Sequence, residues 1–161
     1  MNMKKLLAFI SLSVITFSSY AFTGNTTESI SSPDKEQAGK SGEVIVMNKE
    51  MFLKEIFDYQ NENEWKFKGD KPVIIDLYAD WCGPCRQAAP IMKSLAQEYK
   101  DKIVIYKINV DIEKELAALF NASSIPLFVF IPMDQEPQLF RGLAPKETYK
   151  KAIDEFLLGK K

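Results

Sequence analysis

The stretch Val73–Cys85 has the sequence Val-Ile-Ile-Asp-Leu-Tyr-Ala-Asp-Trp-Cys-Gly-Pro-Cys, and the prediction of the fold starts from it. Val73 to Ala79 is a nearly unbroken apolar run, which is typical of a strand covered on both faces. A helix is predicted to follow from Gly83 to Lys100, since Gly83 and Pro84 suit a tight entry into a helix. The two cysteines therefore lie where a buried strand ends and a helix begins.

This position gives the cysteines a chemical role. Cys82 falls in the first turn of the predicted helix, where unpaired backbone N–H groups and the positive end of the helix dipole stabilise an anion such as a thiolate. Only Gly83 and Pro84 separate it from Cys85, so the chain can curl until the two sulfurs meet. The pattern predicts a dithiol that closes into a disulfide and reopens.

Two less reactive interpretations of the pair stay open. A purely structural disulfide would close a loop of about four residues and stabilise the fold by roughly 2 kcal/mol, against more than about 4 kcal/mol for a loop of about 100 residues. A zinc site would need two further ligands, and with 2 cysteines and 0 histidines in the chain only carboxylates or a second chain could supply them. We therefore predict no metal.

The composition excludes other classes of chemistry. The 161 residues are 46% hydrophobic and 27% charged, which indicates one globular domain. Lys and Arg number 21 against 22 Asp and Glu, so the net charge is −1 and there is no basic excess to bind nucleic acid. The absence of histidine excludes Ser-His-Asp and Cys-His catalysis.

Residues 1–21 have the pattern of a cleaved secretory signal peptide. Two lysines precede an apolar run, Leu6 to Phe17, which is about 12 residues long against the roughly 20 needed to span a bilayer. Small residues up to Ala21 fit cleavage after that residue, and an uncleaved membrane anchor is the alternative. We expect the mature protein in the periplasm or secreted, with no stable membrane insertion.

Residues 22–42 are predicted to form a flexible tether. Between Thr23 and Gly42, Ile30 is the only bulky aliphatic side chain. The free energy gained by burying so little apolar surface would not offset the conformational entropy lost on ordering the segment. A docking arm that uses Ile30 is the alternative.

Residues 43–161 are predicted to form an α/β domain with a mixed central sheet and helices on both faces. Strand, helix and strand in succession predict parallel pairing, and two short runs joined by a connection of hairpin length predict an antiparallel pair. The predicted strands are Val44 to Val46, Val73 to Ala79, Ile103 to Val110, Leu127 to Ile131 and Gln138 to Arg141. The predicted helices are one capped by Asn48 that carries Met51, Phe52, Ile56 and Tyr59, then Gly83 to Lys100, Ile112 to Phe120 and Lys146 to Leu158.

Val73–Cys85 resembles the active-site strand and motif of the thioredoxin family. Its Cys-Gly-Pro-Cys is the thioredoxin form, as distinct from that of disulfide isomerases and of strongly oxidising periplasmic enzymes. Further likenesses follow in the family's order: the helix-kinking proline at Pro90, a third-strand segment at Lys107–Asp111, the cis-proline loop at Ser124–Pro126, and a glycine before the last helix at Arg141–Gly142. The resemblance implies the thioredoxin fold. The chain departs from the family in its N-terminal segments, in Arg86 and in the Pro132–Pro137 hairpin.

The resemblance also implies catalytic roles. Cys82 is expected to attack a substrate disulfide, and Cys85 to resolve the mixed disulfide. Asp76 is a lone carboxyl in an apolar strand; if buried it has a raised pKa and can accept the proton of Cys85, the alternative being an Asp that faces solvent. Lys107 is expected to lie near Asp76 and tune it, the alternative being an amine that only reaches water from the sheet end.

A binding surface is implied as well. X-Pro bonds are cis only about 5–6% of the time, so the cis bond expected before Pro126 rests on the resemblance alone. An extended peptide would pair with this loop and lie on an apolar rim. The expected rim residues are Trp81, Gly83, Pro84, Ile125, Gly142 and Leu143.

The expected function is that of a periplasmic or secreted thiol–disulfide oxidoreductase that reduces protein disulfides. We expect a monomer that uses no cofactor other than its own cysteine pair and receives electrons from a membrane thiol carrier. The alternatives are a net disulfide oxidase and a redox-inert module that binds peptides in the same groove.

Overall fold

A computed structural model describes residues 41–160, so the predicted signal peptide and nearly all of the predicted tether lie outside the described residues. The strands are β1 (Val44–Val46), β2 (Val73–Tyr78), β3 (Val104–Asn109), β4 (Leu127–Ile131) and β5 (Gln138–Arg141). The helices are α1 (Lys49–Glu55), α2 (Gly83–Glu98), α3 (Lys114–Leu119) and α4 (Lys146–Ala152), and a π-helical turn, Ile153–Leu157, continues α4.

The strands form one mixed sheet in the order β1-β3-β2-β4-β5. β3 pairs parallel with both β1 and β2, whereas β4 pairs antiparallel with β2 and β5. The predicted mixed sheet and the antiparallel pairing of the last two strands are therefore confirmed. β2 lies at the centre, and five of its six residues are buried, as its apolar sequence predicts.

Helices cover both faces of the sheet, because alternate residues of each strand point to opposite sides. Ile74 of β2 belongs to one core cluster, which packs under α2, α4 and the π-helical turn. Ile75 and its neighbour Leu77 belong to the other cluster, which packs against α1 and α3. Asp76 shares a face with Ile74, so its side chain is on the side of the sheet that α2 covers.

Several element ends differ from the prediction. Ile112 is not helical: the carbonyl oxygen of Asn109 accepts hydrogen bonds from the backbone N–H of both Ile112 (3.2 Å) and Glu113 (2.8 Å), so a turn follows β3 and α3 begins at Lys114. α1 is also shorter than expected. Tyr59 lies beyond its end and reaches the core from the following turn, with its ring centre 6.1 Å from that of Phe52.

Within residues 41–160, no helix is both long enough and apolar enough to cross a membrane.

Candidate active site

The two cysteines lie where the chain leaves β2 and enters α2. The backbone N–H of Cys82 donates to the carbonyl oxygen of Ala79 at 3.1 Å, which closes the turn after the strand. Cys82 is then the N-cap of α2, and its sulfur accepts a hydrogen bond from the backbone N–H of Cys85 at 3.2 Å. The two sulfurs form a disulfide. A sulfur in this position accepts a hydrogen bond from a backbone N–H group of the first helical turn. The same hydrogen bond stabilises a thiolate when the pair is reduced.

Solvent exposure does not distinguish the two cysteines. Each is only 4% exposed, and both belong to a small cluster with Ala79, against which Val110 and Ile125 pack. What does separate them is their place in the helix, because Cys82 caps it while Cys85 lies inside its first turn. The electrostatics of the helix end therefore favour Cys82 as the nucleophile.

Asp76 is buried, so the alternative of a solvent-facing Asp is wrong. The residue is 4% exposed, and within residues 41–160 its Oδ1 atom has no hydrogen-bond partner. Burial raises the pKa of Asp76 to about 7, and the positive charge of Lys107 opposes this rise in part. At neutral pH the carboxyl group can therefore both accept and release a proton.

Lys107 lies directly opposite Asp76 in the parallel register of β2 and β3. Its ammonium group is 5.3 Å from the centre of the Tyr78 ring, and among residues 41–160 it forms no ion pair within 4.0 Å of a carboxylate. Lys107 acts on Asp76 across space, since its charge lowers the pKa of the carboxyl group without contact. Lys107 thus lowers the pKa of Asp76 while its ammonium group lies over the Tyr78 ring.

A cleft of about 590 Å³ borders the buried acid. Asp76 and Lys107 form one part of its wall, and α2 forms another with residues of one helix face, three of which are spaced four apart. The α2 residues are Ala89, Met92, Lys93 and Gln97, and the start of the domain adds Gly42, Glu43 and Val44. Because Lys93 and Gln97 are exposed, the cleft offers a path for protons between Asp76 and solvent. We did not predict this cleft from the sequence, although the four-residue spacing on α2 was a usable signal.

The loop before β4 lies beside the cysteines. The Ile125–Pro126 peptide bond is cis, as the resemblance implied, and Ile125 packs against the cysteine cluster. The backbone N–H of Gly142 donates to the carbonyl oxygen of Pro126 at 2.9 Å, so the turn after β5 is joined to this loop. Gly142 has a φ of +90°, a left-handed conformation that favours glycine.

The predicted rim residues differ in exposure. Trp81 is 69% exposed and Leu143 is 40% exposed, Pro84 is exposed, and Gly83 and Ile125 are half-buried. Leu143 also borders a shallow groove of about 400 Å³ with Gln87, Ile91, Ala144 and Pro145. The predicted rim residues thus lie on three segments: the start of α2, the cis-proline loop that packs against the cysteine cluster, and the turn after β5 that is hydrogen-bonded to this loop.

A hydrogen-bond network holds Trp81, and sequence reasoning missed it. The indole N–H of Trp81 donates to Oδ2 of Asp111 at 2.9 Å, and the backbone N–H of Asp111 donates to Oδ1 of Asn109 at 2.9 Å. The side-chain amide of Asn109 in turn donates to Asp80 at 3.3 Å. The only available signal was that the adjacent parallel strands β2 and β3 end at the same edge of the sheet.

Comparisons with known proteins agree with this architecture. The family model described as Thioredoxin matches residues 43–155. A thioredoxin of Borreliella burgdorferi is 38% identical over 70% of this chain and 96% of its own length, and a chloroplastic M-type thioredoxin of Spinacia oleracea is 34% identical over 81% of this chain and 72% of its own.

Among solved structures, a mutant thioredoxin from Halobacterium salinarum matches with a TM-score of 0.59 at 23% identity, covering 75% of this chain and 96% of the other, which supports the fold. The chain therefore belongs to the thioredoxin family and carries the cysteine pair of a thiol–disulfide oxidoreductase.

Proposed function

We propose that the protein reduces disulfides of other proteins outside the cytoplasm. The observation that carries this proposal is the cysteine pair at the start of α2, with Cys82 in the capping position, a titratable carboxyl group buried in the preceding strand β2 and a cis-proline loop packed beside the pair. A structural bridge would need none of these surroundings. A loop this short would also add little to stability.

In the reduced protein the reaction begins with the thiolate of Cys82. It attacks one sulfur of the substrate disulfide, so a mixed disulfide forms and the first substrate thiolate leaves and takes up a proton. Cys85 then gives up its proton and attacks the sulfur of Cys82, which forms the Cys82–Cys85 disulfide and releases the second substrate thiol. Two electrons pass from the protein dithiol to the substrate.

Asp76 is the proposed acceptor for the proton of Cys85. Its pKa of about 7 matches the pH at which the proton has to move, because a base works best when its pKa lies near the working pH. The cleft beside it supplies the exchange with solvent. Lys107 keeps the pKa of the carboxyl group from rising further.

The direction of the reaction is proposed from the residues between the cysteines. Gly83 and Pro84 resemble the pair found in strongly reducing thioredoxins, and in this family these two residues influence how strongly the dithiol form is favoured. Thiol–disulfide exchange activity itself is tested by the reduction of insulin by the purified protein in the presence of dithiothreitol, followed as turbidity, with a Cys82→Ser and Cys85→Ser double variant as the control. Acceleration by the unmodified chain alone is expected, and equal rates would support the redox-inert alternative.

The proposed location rests on residues 1–21. A positively charged start, a short apolar run and small residues up to Ala21 together favour export and cleavage. We expect the protein recovered from cells to begin at Phe22, which N-terminal sequencing of the periplasmic and cytoplasmic fractions would check. An intact N-terminus at Met1 in the cytoplasmic fraction would contradict the proposed location.

A further inference from the structure

The turn that follows β3 carries an exposed apolar side chain that the proposed mechanism does not use. Ile112 is 74% exposed, which is the largest exposed fraction among the large hydrophobic side chains of residues 41–160. Trp81, the neighbour of Cys82, follows at 69%. Exposed apolar side chains that lie together next to a reactive site mark a surface where a partner binds.

The turn that carries Ile112 begins beside the cysteines and is held by hydrogen bonds. Val110 packs against the cluster that contains Cys82 and Cys85, and the carboxylate of Asp111 accepts the indole N–H of Trp81 at 2.9 Å. The backbone N–H of Ile112 donates to the carbonyl oxygen of Asn109 at 3.2 Å. Ile112 is therefore one residue away from the group that holds Trp81. Because the carboxylate of Asp111 accepts the indole N–H of Trp81, the exposed side chains of Trp81 and Ile112 occupy neighbouring positions at this turn, and the pair is here named the Trp81–Ile112 surface.

Acidic side chains surround this surface. Asp80 precedes Trp81, and Asp111 and Glu113 flank Ile112. In the part of the chain that the structure describes, none of these three carboxylates has a Lys or Arg side-chain nitrogen within 4.0 Å, and that of Glu113 accepts only the backbone N–H of Lys49, at 3.2 Å. Arg86 is near, but its guanidinium donates to the backbone carbonyl oxygen of Asp80 at 3.1 Å. The negative charge around the surface is thus available to a basic partner.

We propose that the Trp81–Ile112 surface determines which disulfides the protein reduces, and that it binds a substrate segment in which a bulky apolar residue and a basic residue lie close to the disulfide. The proposal rests on the reductase function and names its substrate class. An apolar side chain that covers Ile112 and Trp81 removes both from water, which favours binding. A Lys or Arg beside it meets Asp111, Asp80 and Glu113, and complementary charge of this kind mainly sets specificity and the rate of association.

Symmetric peptide disulfides provide the test, since attack on either sulfur gives the same products. Four peptides of one length each carry a single Cys, with Leu or Ser and with Lys or Glu at two nearby positions. The reduced chain, without residues 1–21, reacts with each dimer in a single turnover: the peptide disulfide breaks, the Cys82–Cys85 disulfide forms, and two peptide thiols appear. Each rate is divided by the rate of the same protein with 2-hydroxyethyl disulfide, which is too small to reach the surface.

We expect the unmodified chain to prefer Leu over Ser about five-fold and Lys over Glu about three-fold at low salt, with the second preference falling as salt rises. Ile112→Gln is expected to reduce the Leu preference to less than about two-fold. Leu119→Gln is the matched control, because Leu119 is also exposed, at 43%, and lies at the far end of α3. It is expected to keep both preferences.

The proposal fails if the unmodified chain reduces all four peptides without preference, or if Ile112→Gln keeps the Leu preference. In either case the reductase function stands, because the peptides are still reduced. Failure to reduce both the peptides and 2-hydroxyethyl disulfide would overturn the proposed function and this inference together.

Discussion

At the scale of single residues, the roles of Cys82 and Cys85 depend on a difference in electrostatics. The two residues have the same exposed fraction, 4%, so whole-residue burial does not assign their roles. Cys82 caps α2 and accepts the N–H of Cys85, whereas Cys85 lies within the helix. Only Cys82 is therefore placed to be stabilised as a thiolate by the helix end.

The first prediction concerns these roles. Cys85→Ser is expected to accumulate mixed disulfides between Cys82 and substrate proteins, because nothing remains to resolve them. Cys82→Ser is expected to accumulate few. Non-reducing electrophoresis of cell extracts after rapid alkylation measures both. If alkylation of the reduced protein at mildly acidic pH labels Cys85 before Cys82, the assignment is reversed.

The second prediction concerns the effect of Asp76 on stability. In the unfolded chain this carboxyl group titrates near its ordinary pKa, with 3.8 as the reference, and in the fold its pKa is about 7. Between these values the folded state binds one more proton than the unfolded state, so the free energy of unfolding falls as pH rises toward 7 and then levels off. Asp76→Asn removes this loss. We expect the variant to be more stable than the unmodified chain above pH 7 by a few kcal/mol, measured by urea denaturation.

The same substitution separates stability from catalysis. Asp76→Asn is expected to slow the release of substrate from the mixed disulfide about ten-fold or more, since the proposed acceptor for the proton of Cys85 is lost. Formation of the mixed disulfide is expected to change little. Single-turnover kinetics from about pH 6 to pH 9 measure the two steps, and a variant whose resolution rate follows the unmodified chain across that range would remove Asp76 from the mechanism.

At the scale of elements, α1 offers a test of how a short helix is held. It has seven residues, and Oδ1 of Asn48 accepts the backbone N–H of Met51 at 2.9 Å. We expect Asn48→Ala to lower the free energy of unfolding by about 1 kcal/mol because this N–H loses its partner, and Asn48→Asp to retain most of it. Urea denaturation of the three proteins checks this. Equal losses in both variants would mean that the cap contributes nothing specific.

The order and type of the elements followed from periodicity, whereas some of their ends did not. Apolar runs and helical spacing predicted every strand and α-helix of residues 41–160, because burial on one face or two is a local property of the sequence. The start of α3 was wrong because the carbonyl oxygen of Asn109 accepts two N–H groups. The π-helical turn after α4 was missed because no difference in apolar spacing marks it.

Some features of the candidate site could likewise be predicted from the sequence, and others could not. The cysteine pair could be predicted because its residues are neighbours in sequence, and the burial of Asp76 followed from the apolar residues around it. The bond between Trp81 and Asp111 joins residues 30 apart, and the cleft beside Asp76 draws on four separate segments. Such contacts arise from the packing of the whole sheet, so no local pattern reports them. The cis bond at Pro126 was expected only from the resemblance to the family.

At the scale of the whole molecule, the sheet brings together parts of the chain that share one task. β2 carries Asp76 and leads into Cys82, its parallel neighbour β3 carries Lys107 and leads into the turn that holds Trp81, and its antiparallel neighbour β4 follows the cis-proline loop. Central placement of β2 therefore brings Lys107 of β3 and the cis-proline loop before β4 to the two sides of the strand that carries Asp76 and leads into the sulfurs.

The last prediction concerns how the molecule is supplied with electrons. Each turnover as a reductase leaves the Cys82–Cys85 disulfide, which must be reduced again before the next substrate. The proposed export separates the protein from cytoplasmic reductants, so the electrons have to come from a thiol carrier in the membrane, and this carrier would form a mixed disulfide with Cys82.

We therefore expect the pair to be mostly reduced in intact cells, as measured by acid quenching and alkylation, and to become oxidised when the carrier is deleted. Cys85→Ser should also trap the carrier on Cys82. A pair that is fully oxidised under every growth condition would reverse the proposed direction in favour of a disulfide oxidase. The same two exchange steps would then run in reverse: a substrate thiolate would attack the sulfur of Cys82, Cys85 would leave as a thiolate, and the substrate disulfide would form from the mixed disulfide.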